Sequence, residues 1–164
     1  LEFQWGLNEQ APLMSPSVFN FYQPVYSQPG AINQAGLLSP EFQIFAETTA
    51  IGEANLHFSM IHWGIWTPEP LTTNENVVLE LDLDPYVAIL QTPGLTPAQA
   101  QGQLIDAFDD LLLFGAMSPA LRTDLENAFT SLPEWFDYDD DAQRQRVSMA
   151  LYLILNSPEF LTQR

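Results

Sequence analysis

The chain predicts a mainly α-helical domain preceded by an irregular arm rich in aromatic residues and proline. Three observations carry that prediction. After Ser39, apolar residues recur at helical spacing through most of the chain. Ser-Pro pairs open at Ser15, Ser39, Ser118 and Ser157, and serine followed by proline suits the N-cap and first turn of a helix. Strand-like alternation is confined to one stretch, "VVLELDLDP". Four or five helices and at most one short strand are expected.

Residues 1–38 form the expected arm. Pro12, Pro16, Pro24, Pro29 and Gly30 interrupt any regular element, leaving one helical turn from Pro16 to about Asn20. The rings of Phe19, Phe21 and Tyr22 are expected to wedge the arm onto the helices, with Asn20 bonding backbone in the turn. Residues 39–164 are expected to be one compact helical unit.

Ser39 reads as an N-cap with Pro40 at the first helical position and Glu41 near the positive helix end. Phe42, Phe45, Thr49, Gly52, Leu56 and Met60 then keep helical spacing, predicting one long helix over about 40–63 that stops near Gly64. Leu79, Leu81 and Leu83 alternate with Glu80, Asp82 and Asp84, which predicts an extended edge segment. Asp84-Pro85 starts a short helix through about Leu90. Thr96 and Gln99 form a capping-box pattern ahead of a helix with Leu104, Phe108, Leu111 and Leu112 on one face and Gly115 as its stop. Ser118-Pro119 starts another, with Leu121, Leu125, Ala128, Phe129 and Leu132 inward. After Asp139–Asp141, the stripe Val147, Ala150, Leu151, Ile154 and Leu155 predicts a third, and Ser157-Pro158 begins a last turn.

Composition narrows the function. With 46% hydrophobic and 12% aromatic residues over 164 positions, the chain can bury one sizeable core, and disorder is disfavoured. No run reaches the roughly 18 apolar residues of a membrane span, so no membrane insertion is expected. The net charge is −17, lysine is absent, and all four arginines (Arg122, Arg144, Arg146, Arg164) lie at or after position 122. Phosphate recognition needs a basic footprint, so nucleic acid is not an expected partner. Such acidity fits a marine or salt-adapted setting, divalent cations, or a basic surface elsewhere in a longer parent or on a partner. Cysteine is absent, which excludes disulfides and thiolate metal sites here. The opening "LEFQWGLNEQAP" has neither a starting Met nor a basic-then-apolar leader, and the chain is expected to be part of a longer protein.

Chemistry is sparsely signalled. His57 and His62 stand five residues apart on the long helix, about 140° around its axis, and so cannot ligate one ion together. Glu53 and His57 share a face, which reads as a polar seam. Asp137, Asp139 and Asp141 resemble the start of a calcium loop, but Ala142 replaces the expected glycine and Ser148 the closing glutamate, so any calcium site is weak and no other cofactor is expected. Glu80, Asp82 and Asp84 fail the same pattern. There is no G-x-S-x-G elbow and no phosphate-cradling glycine loop, and no catalytic residue is assigned. Trp63 and Trp66 suit either a sugar platform or the core, and the core is the expectation.

The stretches "APLMSPSVFNFYQP", "SPEFQI" and "LILNSPEFLTQR", in that order, resemble the C-terminal region of an exported bacterial family, the DUF 1800 family. The likeness rests on Ser17, Val18, Phe19, Asn20, Phe21 and Tyr22, on Pro40, Glu41, Phe42 and Asn55, and on Ser157, Pro158, Glu159 and Phe160. It implies a mostly helical, longer parent that is exported to the periplasm, cell surface or medium, with a sulfatase-like exported family often encoded nearby. No catalytic residues come with it. The expectation is a non-catalytic structural or protein-interaction module whose partner is the rest of the parent or another exported protein. The alternative is part of an exported hydrolase-like enzyme whose site is shared with a missing N-terminal region.

Overall fold

A computed structural model describes residues 14–18, 20–45, 47–66, 78–132 and 141–161. The chain divides into two units, Leu1–Leu56 and His57–Arg164. The architecture is mainly α. Among the described residues, four helices of 12 to 17 residues carry it: α2 (Glu47–Trp63), α4 (Pro97–Phe108), α5 (Pro119–Thr130) and α6 (Ala142–Leu155). Shorter turns accompany them: α1 (Ala31–Gln34), α3 (Asp84–Leu90) and α7 (Pro158–Leu161).

In the first unit, Pro16–Asn20 is a tight reversal and not the expected helical turn. The Asn20 N–H donates to the Ser17 carbonyl at 3.2 Å, and Asn20 sits at φ 70°, a left-handed conformation that asparagine tolerates well. Phe21 and Tyr22 are half-buried, whereas Phe19 lies outside the described residues. The segment from Gln23 to Gln43 is closed by its own bonds: Gln23 N–H to Gln43 Oε1 at 2.8 Å, Ser27 Oγ to the Leu37 carbonyl at 2.7 Å, and Ser39 N–H to the Tyr26 carbonyl at 2.9 Å. Ser39 does not cap a long helix. Its hydroxyl accepts the Gln28 N–H at 2.9 Å, and the chain after it makes only a 3-10 turn, Pro40–Gln43, before α2 begins at Glu47. Thr49 Oγ1 donates back to the Ile44 carbonyl at 3.0 Å. The single helix over 40–63 is thus two elements, because the capping hydroxyl is engaged by an earlier loop.

In the second unit the local signals hold. Thr96 and Gln99 form the reciprocal capping box, with Thr96 N–H donating to Gln99 Oε1 at 2.9 Å and Gln99 N–H to Thr96 Oγ1 at 3.3 Å. Ser118 Oγ accepts the Leu121 N–H at 3.2 Å, and α3 starts at Asp84 as expected. One register differs. After Phe108 the helix widens to a π-turn, Asp109–Leu113, which ends on Phe114 at φ 58° and Gly115 at φ 74°. The wider turn shifts the inward face by about one residue: Leu113 is buried, Leu111 is 55% exposed and Leu112 is half-buried. Asp109 closes the turn, its carbonyl accepting the Gly115 N–H and its Oδ1 accepting the Met117 N–H at 2.9 Å.

The core of this unit joins Leu104, Ile105 and Phe108 of α4 to Leu125 and Phe129 of α5 and to Val147, Ala150, Leu151 and Ile154 of α6, with Ile61 and Leu83 added from the flanks. Tyr86 of α3 packs on Phe108 with ring centroids 4.8 Å apart. Two short strands, β1 (Ile65–Trp66) and β2 (Val78–Leu79), pair antiparallel in the register Ile65 with Leu79 and Trp66 with Val78. The alternating segment is extended for two residues only. Leu83 is buried, but Leu79 and Leu81 are exposed, because residues 80–83 leave the pairing to lead into α3.

Candidate functional site

Gly64 organises a concave surface of the second unit. It ends α2 at φ 70°, its N–H donating to the Met60 carbonyl at 3.2 Å. A Cβ at this position would meet the Leu79 carbonyl oxygen at 2.5 Å and the Val78 Cγ1 at 2.9 Å. Glycine is therefore required twice, for the backbone angle and for the close approach of β2. That approach brings Glu80 and Leu81 beside Ile61 and His62 at the end of α2. The first turns of α6 supply Asp141, Arg144, Gln145 and Ser148, and together these residues line a cavity of about 150 Å³. Ile61 and Ser148 are buried within it, whereas His62, Glu80, Leu81 and Asp141 are exposed at its rim. Arg144 is drawn toward Asp84, with Nη1 3.0 Å from Oδ1.

His62 is fixed by its helix. Its Nδ1 lies 2.9 Å from the Phe58 carbonyl, which can only accept, so Nδ1 carries the proton and a neutral His62 presents Nε2 as a lone pair. The Phe58 ring stacks on the imidazole at 4.2 Å, and it meets Trp63 at 5.5 Å and Tyr152 at 6.1 Å edge-on. Trp63 is 62% exposed, so it belongs to this surface cluster and not to the core, as spacing alone had implied. The side chain of Trp66 lies outside the described residues.

His57 faces elsewhere. Its Nδ1 is 3.2 Å from Asn156 Oδ1, and Asn156 Nδ2 donates to the Tyr152 carbonyl at 2.7 Å, an amide orientation that makes His57 the donor. His57 is thus tied to α6, while Glu53 stands four residues before it on α2 and is half-buried. Among the described residues no group of three His, Asp or Glu side chains is placed to hold a metal ion. Asp137 and Asp139 lie outside the described residues, and Asp141 flanks the start of α6 without a side-chain cap bond. In the second acidic run, Asp82 Oδ1 accepts the Asp84 N–H at 3.1 Å.

The residues that carry the family likeness fall into three places. Ser157 is buried and its Oγ accepts the Phe160 N–H at 3.3 Å, while Phe160 packs on the core. Glu159 accepts from both the N–H and the hydroxyl of Ser118. Phe42 meets Phe45 edge-on at 6.2 Å following Pro40, and Asn55 is exposed on α2. Ser17, Val18 and Asn20 lie in the tight reversal, all exposed. Glu41 belongs to the 3-10 turn.

Sequence patterning does not reveal the cavity. Ser148 sits one position from Val147 in an apolar helix, and Glu80 in an acidic run, so neither stands out. Gly64 is legible as the end of a long helical period, and His62 and Asp141 as candidates for separate metal patterns, but no spacing joins them into one site. No curated protein and no solved structure matches the chain. A family described as "Protein of unknown function (DUF1800)" matches over residues 2–162, nearly the whole length, and the chain belongs to that family.

Proposed function

We propose that this chain is a non-catalytic structural or protein-interaction module of an exported bacterial protein. The observation that carries the reading is the ring cluster at the end of α2. Phe58, His62 and Trp63 brace one another, yet Phe58 is 42% and Trp63 62% exposed. Large rings held in place before contact lose little conformational freedom on binding, and tryptophan is enriched where interfaces concentrate their energy. The partner is the rest of a longer parent chain or another exported protein, and the net charge of −17 favours a basic surface on it. Export is part of the proposal, supported by the absence of cysteine and by the traits the family likeness implies.

The test is site-specific photo-crosslinking in the native host, with a benzophenone amino acid at Trp63 and a control at Thr123, followed by mapping of the crosslinked peptides. Crosslinks from position 63 to one defined sequence of the parent or of an exported protein are expected. Equal background labelling from both positions would remove the proposal. The rival, an exported hydrolase-like enzyme completed by chain outside this segment, is supported by the cavity lined by His62, Glu80 and Ser148. It predicts hydrolysis by the full parent that is lost in Ser148→Ala or His62→Gln while the fold persists.

A further inference from the structure

We propose that the loop at residues 23–43 of the first unit is a self-association surface, which pairs with the same loop of a second copy of this chain. This goes beyond the docking reading above, rests on other residues and does not depend on it. The first observation is charge. Residues 10–40 hold no Asp, Glu, Arg or His, in a chain that has no lysine and a net charge of −17. The centre of a protein interface is likewise depleted of charged side chains.

The second observation is fixed apolar exposure. Val25, Leu37 and Leu38 are each at least 60% exposed, and Leu56 is the one buried apolar side chain among the described residues of this unit. Apolar residues exposed together mark a contact surface, and the loop's own bonds bring these together. The Ser39 N–H donates to the Tyr26 carbonyl and the Gln28 N–H to Ser39 Oγ, both at 2.9 Å, which lays residues 25–28 beside residues 37–39. The Leu37 N–H donates to the Ile32 carbonyl at 3.1 Å, and the Leu37 carbonyl accepts the Ser27 hydroxyl at 2.7 Å. With both backbone groups engaged, Leu37 is held in place before contact and loses little freedom on association.

Charge then selects the occupant. A basic protein gains most where acids stand, and the acids nearest to the uncharged run in sequence are Glu9 and Glu41, outside it. A second copy carries the same −17, and before Arg122 it has no lysine or arginine to set against an acid. Within that stretch, two copies meet without opposing like charges only through an uncharged face. A two-fold axis supplies that face from both. A lipid surface is the other apolar partner, but tyrosine and tryptophan rings anchor a chain there, and Tyr22 and Tyr26 are half-buried.

The experiment is sedimentation velocity on the full chain over a concentration series, at about 0.01 M and about 0.1 M NaCl. A monomer–dimer equilibrium is expected that tightens about tenfold or more with the added salt, as repulsion between copies is screened. Leu37→Asp and Leu38→Asp are each expected to weaken it about tenfold or more, because the two-fold axis puts two carboxylates into one interface. Thr123→Asp adds the same charge on α5 and is expected to weaken it about twofold at most. All three variants are expected to keep the melting temperature of the unsubstituted chain. A monomer at every concentration, a dimer indifferent to both leucine variants, or equal weakening by Thr123→Asp would overturn the proposal. A lowered melting temperature in a monomeric Leu37→Asp would overturn it too, by showing that the chain covers this loop itself. Binding to phosphatidylcholine vesicles in place of dimerisation would assign the loop to a lipid surface and overturn it as well.

Discussion

Glu159, in the first turn of α7, holds Ser118 from 41 residues further along the chain. Its carboxylate accepts the Ser118 N–H at 2.8 Å and the Ser118 hydroxyl proton, while the same hydroxyl oxygen accepts the Leu121 N–H at 3.2 Å. The hydroxyl is thereby turned so that its lone pair serves as the N-cap of α5. Two Ser-Pro helix starts are coupled, and the glutamate of the terminal signature works as a second-tier cap.

Glu159→Ala is expected to destabilise the fold by about 1–2 kcal/mol, the cost of a lost cap and a charge-assisted bond. At about 2–4 °C per kcal/mol for a chain of this size, the melting temperature should fall by several degrees. Glu159→Gln keeps one acceptor and should lose about half as much. Calorimetry on both variants checks this, and an unchanged midpoint for Glu159→Ala would contradict the coupling.

Glycines 64 and 115 separate conformational strain from crowding. Both have positive φ, but only at Gly64 would a Cβ strike backbone, while at Gly115 the nearest atom is Asp110 Oδ1 at 3.8 Å. Gly115→Ala should cost about 1 kcal/mol from the left-handed angle alone. Gly64→Ala should cost at least about twice that, because β2 must also move. Equal losses in chemical denaturation would refute the close-approach role.

The π-turn makes a register test. Leu113→Ala should cost about 2–4 kcal/mol as a core truncation. Leu111→Ala should stay within about 0.5 kcal/mol, as exposed sites do. A straight α-helix through this segment would reverse the order, so the two midpoints decide it.

That register also shows what can be read from one dimension. The Thr96–Gln99 box, the Ser118 cap and the Gly64 stop are visible in the sequence because each depends on neighbours within four residues. The stripe from Val147 to Ile154 is visible because α6 keeps one period throughout. Ser39 misleads, since the Gln28 N–H that takes its hydroxyl arrives from eleven residues earlier. Leu111 misleads because one widened turn shifts everything after it. The cavity is invisible for the same reason at larger range: Gly64, Glu80 and Ser148 meet only through β-pairing and core packing, and neither leaves a spacing rule.

The acids make a further prediction. With a net charge of −17, self-repulsion should weaken the fold at low ionic strength and ease as the Debye length shortens from about 30 Å at 0.01 M to about 10 Å at 0.1 M salt. NaCl should raise the melting temperature smoothly, and millimolar Ca²⁺ at matched ionic strength should add little. A saturable rise with Ca²⁺ that disappears in Asp139→Ala would instead establish a specific site at Asp137, Asp139 and Asp141.

The placement of the arginines has a consequence for how this protein is detected. Trypsin cuts after lysine and arginine, and between Leu1 and Arg122 there is neither. Trypsin therefore has no bond to cut within that stretch, however thoroughly the chain is denatured. Among the described residues, the bonds that trypsin can cut lie inside helices, after Arg122 in α5 and after Arg144 and Arg146 in α6. Digestion rate therefore reports the opening of those two helices and is blind to the first unit. A protease that cuts after acids or rings finds sites in both units, and so reads the first unit where trypsin cannot.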